Sequence, residues 1–222
     1  MTEKLYYLDS HLFEFEATVL AAREEKRGWE IVLDRTAFFP EGGGQPADTG
    51  MIGPARVLDV HEREGEIRHL CDRELAPGTY ACAVDREKRL RRMQNHSGEH
   101  VFSGLTHRKY GAENVGFHMA EDGMTIDFDK ELSFEQLSEI EYEANLAVRA
   151  NIPVRTFYPS PEELKVLEYR SKKAYGRYPV KAIVLRKRKY GKSTNADCSP
   201  CPTTECWISQ PCVSHVTDPD LM

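Results

Sequence analysis

The sequence has no long apolar run and no surplus of positive charge. Its hydrophobic stretches are all shorter than the roughly 20 residues that span a bilayer, and Met1–Tyr7 contains no signal-peptide core. We therefore expect a cytoplasmic protein with no membrane partner. The 30 basic residues are outnumbered by 36 acidic ones, for a net charge of −6, which argues against an indiscriminate nucleic-acid binder.

The remaining composition is that of an ordinary globular protein. Of the 222 residues, 40% are hydrophobic and 30% are charged, which suits one large or two small domains. The basic residues include three runs, at 86–92, 170–177 and 186–192. Such runs fit a partner that carries phosphates, although solvated helix faces and strand edges give the same pattern.

Cysteine is scarce before the last 25 residues. Cys71 and Cys82 are isolated, and we predict that they are small buried apolar residues. The other four crowd the C-terminal part beside His215, where clustering in a cytosolic protein indicates metal ligation before disulfide bonding. These four are Cys198, Cys201, Cys206 and Cys212.

The hydrophobic pattern changes near residues 85–90. Before this point, short alternating runs separated by turn residues predict the strands of a small barrel or twisted sheet. Beyond it, helical and strand patterns are mixed. The sequence therefore predicts an α+β fold, with a β-barrel-like N-terminal domain over residues 1–88 and an α+β domain over residues 89–222.

The second part has clear signals for its elements. It predicts a helix that ends near His107, a hairpin around Glu121–Gly123 and a helix over residues 133–151. Ser133 and Gln136 are spaced as a capping box for this last helix. Ser160 is predicted to cap a further helix in the same way.

His96 and His100 are four residues apart in the first predicted helix. Residues with this spacing share one helix face, so both imidazoles can bind one ion and supply half of a tetrahedral zinc site. Two surface or capping histidines are the plainer interpretation of the pair alone. The downstream cysteines favour the metal, because thiolate and imidazole together select zinc.

Three consecutive glycines, Gly42–Gly44, follow an aromatic stretch and stand between Glu41 and Gln45. Glycine permits positive φ and a close approach of the backbone to a ligand. The spacing matches neither a P-loop nor the GxGxxG fingerprint. The segment predicts a shaped loop, with a simple tight turn as the alternative.

The histidine helix and the glycine loop together resemble the motifs of one family. Residues 93–100 resemble the zinc-binding helix of the alanyl-tRNA editing domain, found in alanyl-tRNA synthetase and in free-standing proteins of the AlaX family. The loop over 36–50 is similar to the glycine-rich motif of the longer free-standing members. The resemblance extends in the same order through most of the sequence, over residues 8–201.

The resemblance implies a trans-acting hydrolase that removes serine or glycine from mischarged tRNA(Ala) with the help of Zn²⁺. The basic runs would hold the acceptor stem through its phosphates. Thr36 would pair with the serine hydroxyl, which alanine lacks. The implied zinc ligands are His96, His100, Cys201 and His215. The implied catalytic residues are Gln94 and Glu99, of which Glu99 has a solvated helix position as its alternative. The implied substrate-binding residues are Thr36, Gly42, Gly43, Gly44 and Gln45.

The second half of the zinc site departs from the family pattern of Cys-x-x-x-His. Cys201 occupies the cysteine position, but Glu205 stands where a histidine is expected. Three alternatives stay open. His215 completes the site with Cys201 or Cys212, Glu205 supplies a carboxylate ligand, or the tail is out of register and the site is weakened.

Two other functions fit this imperfect tail. The protein is then a non-catalytic tRNA-binding relative with a degenerate zinc site, or a domain in which zinc only pins the tail to the helix. Loss of zinc on replacing His96 separates the enzyme from the first alternative, and unfolding on replacing His100 marks the second. No sequence feature specifies an oligomeric state.

Overall fold

The computed structural model describes residues 1–121, 123–151, 154–157, 160, 162–163, 181–185 and 213–217. Within these residues the protein combines strands with two helices, so the predicted mixture of helices and strands is confirmed. The chain divides into two compact units. The first comprises Met1–Asn95 and His118–Met124, and the second comprises His96–Phe117 and Thr125–Met222. The predicted domain boundary between residues 88 and 89 stays a proposal.

Eight strands and one 3-10 turn precede the first helix. In chain order the strands are β1 (Glu3–Lys4), β2 (Glu14–Glu25), β3 (Gly28–Leu33), β4 (Arg35–Thr36), β5 (Gly50–Ile52), β6 (Ala55–Arg63), β7 (Glu66–Cys71) and β8 (Gly78–Val84). Six of them close a barrel in the order β2-β3-β7-β6-β5-β8, and all six pairs of neighbouring strands are antiparallel. The short strands β1 and β4 pair separately and in parallel.

The barrel encloses the apolar side chains of its alternating strands. In β6, the register shift between Val57 and Asp59 lets both Val57 and Val60 be buried, although they are three residues apart. Alternation therefore resumes on the same face after the bulge. The largest apolar side chains of the interior are Ile31, Leu33, Phe38, Ile52 and Ile67.

Both isolated cysteines lie in this core, as predicted. Cys71 and Cys82 are buried and carry free thiols. Burial raises the pKa of each thiol to about 12, so both are protonated at neutral pH and behave as small apolar groups.

The long helix α1 (Arg86–Tyr110) confirms the predicted change of pattern. Asp85 precedes it, and the Asp85 carboxylate accepts a hydrogen bond of 3.1 Å from the backbone N–H of Lys88. This contact satisfies one of the N–H groups that the first turn of a helix leaves without a partner.

A two-stranded sheet and a second helix follow. β9 (Asn114–Met119) pairs with β10 (Met124–Phe128), which confirms the predicted hairpin. The helix α2 (Phe134–Arg149) begins with the predicted capping box, in which Ser133 and Gln136 each accept a hydrogen bond from the other's backbone. Lys109 of α1 donates to Glu139 of α2 at 2.6 Å and to Glu143, and these contacts join the two helices.

Three further strands form a separate sheet. β11 (Val154–Phe157) pairs antiparallel with β12 (Lys181–Leu185), which pairs in parallel with β13 (Val213–Thr217). Ser160 and Glu163 make the predicted capping box, although the helix beyond them lies outside the described residues. Among the described residues, neither α1 nor α2 has the length and apolar character that crossing a membrane requires.

Candidate metal centre and glycine-rich loop

Two imidazoles lie together on one face of α1, as their spacing predicts. The rings of His96 and His100 are stacked, with centroids 4.8 Å apart and planes inclined by 22°. His96 is only 3% exposed and also lies against Phe117 of β9, at 5.6 Å between ring centroids. The potential ligand atoms of His96, His100 and Glu99 all lie within 4.8 Å of one another.

Burial keeps His96 in the form that binds metals. Removal from water lowers the pKa of its imidazole from 6.5 to about 4. The ring is therefore neutral at neutral pH, with a lone pair available to a cation and no proton to displace. This property suits the predicted metal ligand and could not be read from the spacing.

Glu99 is buried, so its alternative interpretation as a solvated helix position is wrong. The side chain is 5% exposed. Its Oε1 accepts hydrogen bonds from Ser103 Oγ at 2.6 Å and from Asn114 Nδ2. Its Oε2 lies 3.1 Å from Nδ1 of His100. Ser103 is one turn beyond Glu99 and could have been found by spacing, whereas no sequence signal pointed to Asn114.

For the other predicted members of this centre, the described residues do not place a side chain beside the two histidines. Gln94 is exposed, and a separation of two residues from His96 turns its side chain by roughly 200° around the helix. Cys201, Cys212 and Glu205 lie outside the described residues. His215 lies in β13, where its backbone is opposite Ile183 of β12. The four-ligand set therefore stays a prediction.

The glycine-rich segment forms a tight turn with a defined shape. The backbone N–H of Gly42 donates to the carbonyl of Gln45 at 3.1 Å, and the N–H of Gln45 returns a bond of 3.0 Å to Gly42. Between them, Gly43 and Gly44 have φ angles of 60° and 81°. Two successive positive φ values are typical of a type I′ turn and favour glycine at both positions. Gln45 is fully buried.

Thr36 is held inside the barrel by His69. Both residues are fully buried, and Thr36 Oγ1 lies 2.9 Å from His69 Nε2. The other ring nitrogen, Nδ1, is 3.1 Å from the carbonyl oxygen of Ile31 and therefore carries the proton. The Thr36 hydroxyl then donates to Nε2, while its oxygen accepts from the N–H of Phe38 at 3.1 Å. A substrate reaches Thr36 only if its neighbours move apart.

His69 makes the stability of the barrel depend on pH. Burial lowers the pKa of its imidazole to about 4, partly opposed by the hydrogen bond to Ile31. An unfolded histidine titrates near 6.5, so between these values the unfolded chain binds more protons and stability falls as pH falls. From pH 7 to pH 5, we expect wild type to lose about 2 kcal/mol more unfolding free energy than His69→Gln. Urea denaturation at both pH values measures this, and equal losses would contradict it.

A buried ion pair links α1 to Asp48, which lies three residues after the glycine-rich turn. Arg89 of α1 and Asp48 are 0% and 1% exposed, and Arg89 Nε donates to Asp48 Oδ2 at 2.8 Å. Arg89 also donates to the carbonyl oxygens of Ser10, at 2.9 Å, and of Ala37. The same Asp48 oxygen accepts from the N–H of Phe39 at 2.6 Å.

Arg89 belongs to the first basic run, which was predicted to bind phosphates. Its burial corrects that prediction for this residue, because a guanidinium enclosed with Asp48 is withdrawn from any surface ligand. Arg86 and Arg91 of the same run are exposed. The two later runs lie outside the described residues.

A second group of potential ligands was missed in the sequence. Atoms of Glu41, Asp59 and His61 lie within 4.8 Å of one another. Asp59 and His61 are two residues apart on β6, so they share one face of the strand. Their side chains contact at 2.9 Å. Glu41 and nearly half of the His61 side chain are exposed. Because the Asp59–His61 contact pairs these groups without an ion, we assign this cluster no function.

Known proteins resemble the chain over most of its length. It is 34% identical over 177 residues to the alanyl-tRNA editing protein AlaX-M of Methanosarcina barkeri, covering 73% of this chain and 71% of that protein. It is 34% identical to AlaX-L of Pyrococcus horikoshii over 174 residues, 74% of this chain. Identity to the alanine–tRNA ligase of Halorubrum lacusprofundi is 36% over 171 residues, 73% of this chain. No family model matches the sequence.

The chain covers a different fraction of the length of each relative. The chain spans 43% of AlaX-L and 18% of the ligase. The chain is 36% identical to AlaX-M of Methanosarcina mazei and covers 70% of its length. It therefore covers more than two thirds of the length of two AlaX-M proteins. The chain therefore belongs to the AlaX family of alanyl-tRNA editing proteins.

Proposed function

We propose that this protein hydrolyses the ester bond of tRNA(Ala) mischarged with serine or glycine, at a zinc ion bound to α1. The observation that carries the proposal is the stacked pair of His96 and His100, with His96 buried and neutral. The names of the AlaX relatives support alanyl-tRNA editing as the process. Since tRNA is the proposed substrate, the cytoplasm is the proposed place of action.

The described residues fit a zinc ion. Two imidazoles on one helix face supply nitrogen ligands that zinc prefers, and the carboxylate of Glu99 lies next to them. We propose Cys201 and His215 as the remaining ligands, which makes a His₃Cys set. Bound zinc would supply a positive charge that polarises the ester carbonyl or acidifies the attacking water. Gln94 stays a proposed hydrogen-bonding partner of the substrate.

We propose Thr36 as the residue that recognises the serine hydroxyl. Because Thr36 gives its own proton to His69, its oxygen can only accept a further hydrogen bond. A serine hydroxyl can donate such a bond, whereas the methyl group of alanine cannot, and this difference would spare correctly charged tRNA. The turn of Gly42, Gly43, Gly44 and Gln45 is proposed to complete amino-acid recognition.

Deacylation of three charged forms of tRNA(Ala) tests this function. We expect the zinc-loaded protein to release serine at least about 100-fold faster than alanine, since a site built around a hydroxyl rejects the analogue that lacks it. The rate for glycine is compared with both. The enzyme-free rate for each ester is the control. Tight binding of tRNA(Ala) with no acceleration of any ester would instead support the non-catalytic relative.

A further inference from the structure

Glu99 is anchored on one side and faces a proposed zinc ligand on the other. Its Oε1 accepts from Ser103 Oγ at 2.6 Å and from Asn114 Nδ2, and these two partners are themselves 3.1 Å apart. All three residues are at least 95% buried. Its Oε2 is 3.1 Å from Nδ1 of His100. A buried carboxylate is costly unless its oxygens are engaged, and here both are.

The anchoring fixes where Oε2 points. Ser103 lies one turn after Glu99 on α1, while Asn114 begins β9. Two donors from different elements leave the carboxylate little freedom to rotate, so Oε2 is held against the ring of His100. A histidine that ligates a metal through one nitrogen commonly gives the N–H of the other to a carboxylate, which sets the tautomer and ring orientation.

We propose that Glu99 is a positioning residue that holds the proton of His100 on Nδ1, so that Nε2 is the nitrogen that binds zinc. Ser103 and Asn114 form the support that keeps Glu99 in place. This inference rests on the proposed zinc site, and it assigns Glu99 a role other than that of a base. In this positioning role, Glu99 needs no contact with the substrate.

The alternative is that Glu99 ligates zinc directly, since one of its oxygens lies within 4.8 Å of a ring nitrogen of each histidine. The contacts favour the indirect role. Oε1 is occupied by two donors, and Oε2 is at hydrogen-bonding distance from a ring nitrogen that can donate to it. Direct ligation would require Oε2 to leave that nitrogen.

Zinc affinity of the full chain, measured by competition with a chelator and without tRNA, tests the proposal. We expect Glu99→Gln to weaken zinc binding by about 10- to 100-fold, and Ser103→Ala and Asn114→Ala to weaken it by smaller factors. Glu87→Gln is the matched control, because Glu87 is an exposed carboxylate on the same helix. Wild-type affinity in Glu99→Gln and in both support variants would overturn the proposal.

Two spectroscopic measurements separate positioning from direct ligation and from misfolding. In the metal-free wild type, ¹⁵N shifts of the His100 ring should report a proton on Nδ1, and in Glu99→Gln this preference should weaken. With cobalt in place of zinc, the absorption spectrum of Glu99→Gln should indicate the same coordination number as the spectrum of the wild type. Loss of a ligand in that spectrum, or an Nε2 proton in wild type, would overturn the proposal. Zinc binding without seryl-tRNA hydrolysis would refute the proposed function and leave this inference intact.

Discussion

Replacing Arg89 with methionine is expected to destabilise the protein by about 3–5 kcal/mol. The substitution leaves Asp48 charged and buried without its guanidinium partner. It also removes the hydrogen bonds that Arg89 donates to the carbonyl oxygens of Ser10, which precedes β2, and of Ala37, which follows β4. The free energy of unfolding from urea denaturation at pH 7 measures this effect.

Two further variants make the result specific. Arg91→Met removes a charge of the same helix from an exposed position, and we expect it to change stability by about 0.5 kcal/mol or less. Adding Asp48→Asn to Arg89→Met should recover part of the loss, because the amide oxygen can still accept from Phe39 without an unpaired buried charge. A loss below about 1 kcal/mol for Arg89→Met would refute the importance of this ion pair.

The second large effect is expected on removing either imidazole from α1. His96→Ala and His100→Ala should each weaken zinc binding by more than about 100-fold, because loss of an outer partner alone already costs 10- to 100-fold. Hydrolysis of seryl-tRNA should fall in parallel. Equilibrium dialysis followed by metal analysis gives the stoichiometry, and initial rates give the activity.

His107→Ala is the matched control for these variants. His107 lies on the same helix, but its side chain is 44% exposed and paired with Glu113 at 2.7 Å. We expect it to retain zinc and activity. Far-UV circular dichroism distinguishes a catalytic site from a zinc ion that only pins the tail, since His100→Ala should remain folded in the first case and unfold in the second.

Elements governed by local patterns could be predicted from the sequence. The spacing of apolar residues predicted α1, and the Ser133–Gln136 pair predicted the start of α2, because helix periodicity and capping depend on neighbours in the chain. The type I′ turn at Gly43 and Gly44 matches the tight turn that the sequence left open as the alternative to a shaped loop. The isolated positions of Cys71 and Cys82 were enough to predict their burial.

Features that depend on distant partners could not be predicted. Arg89 looked like one more cation in a basic run, but Asp48, 41 residues away, withdraws it from the surface. For Glu99, predicted as a catalytic residue, the sequence left a solvated helix position open as the alternative, and it did not show that Asn114, 15 residues away, contacts the buried carboxylate. His69 carried no motif at all, and its role emerges only because β7 places it against Thr36. In each case the tertiary fold supplies the partner that decides the role.

Removal and return of zinc to one preparation of wild-type protein is the most direct measurement of the proposed activity. Hydrolysis of seryl-tRNA(Ala) should disappear on chelation and return in proportion to bound zinc up to one equivalent, while His96→Ala stays inactive at every zinc concentration. Alanyl-tRNA(Ala) should stay intact throughout. Equal hydrolysis of the seryl ester by the chelated and zinc-loaded protein would contradict a zinc site on α1 as the centre of the reaction.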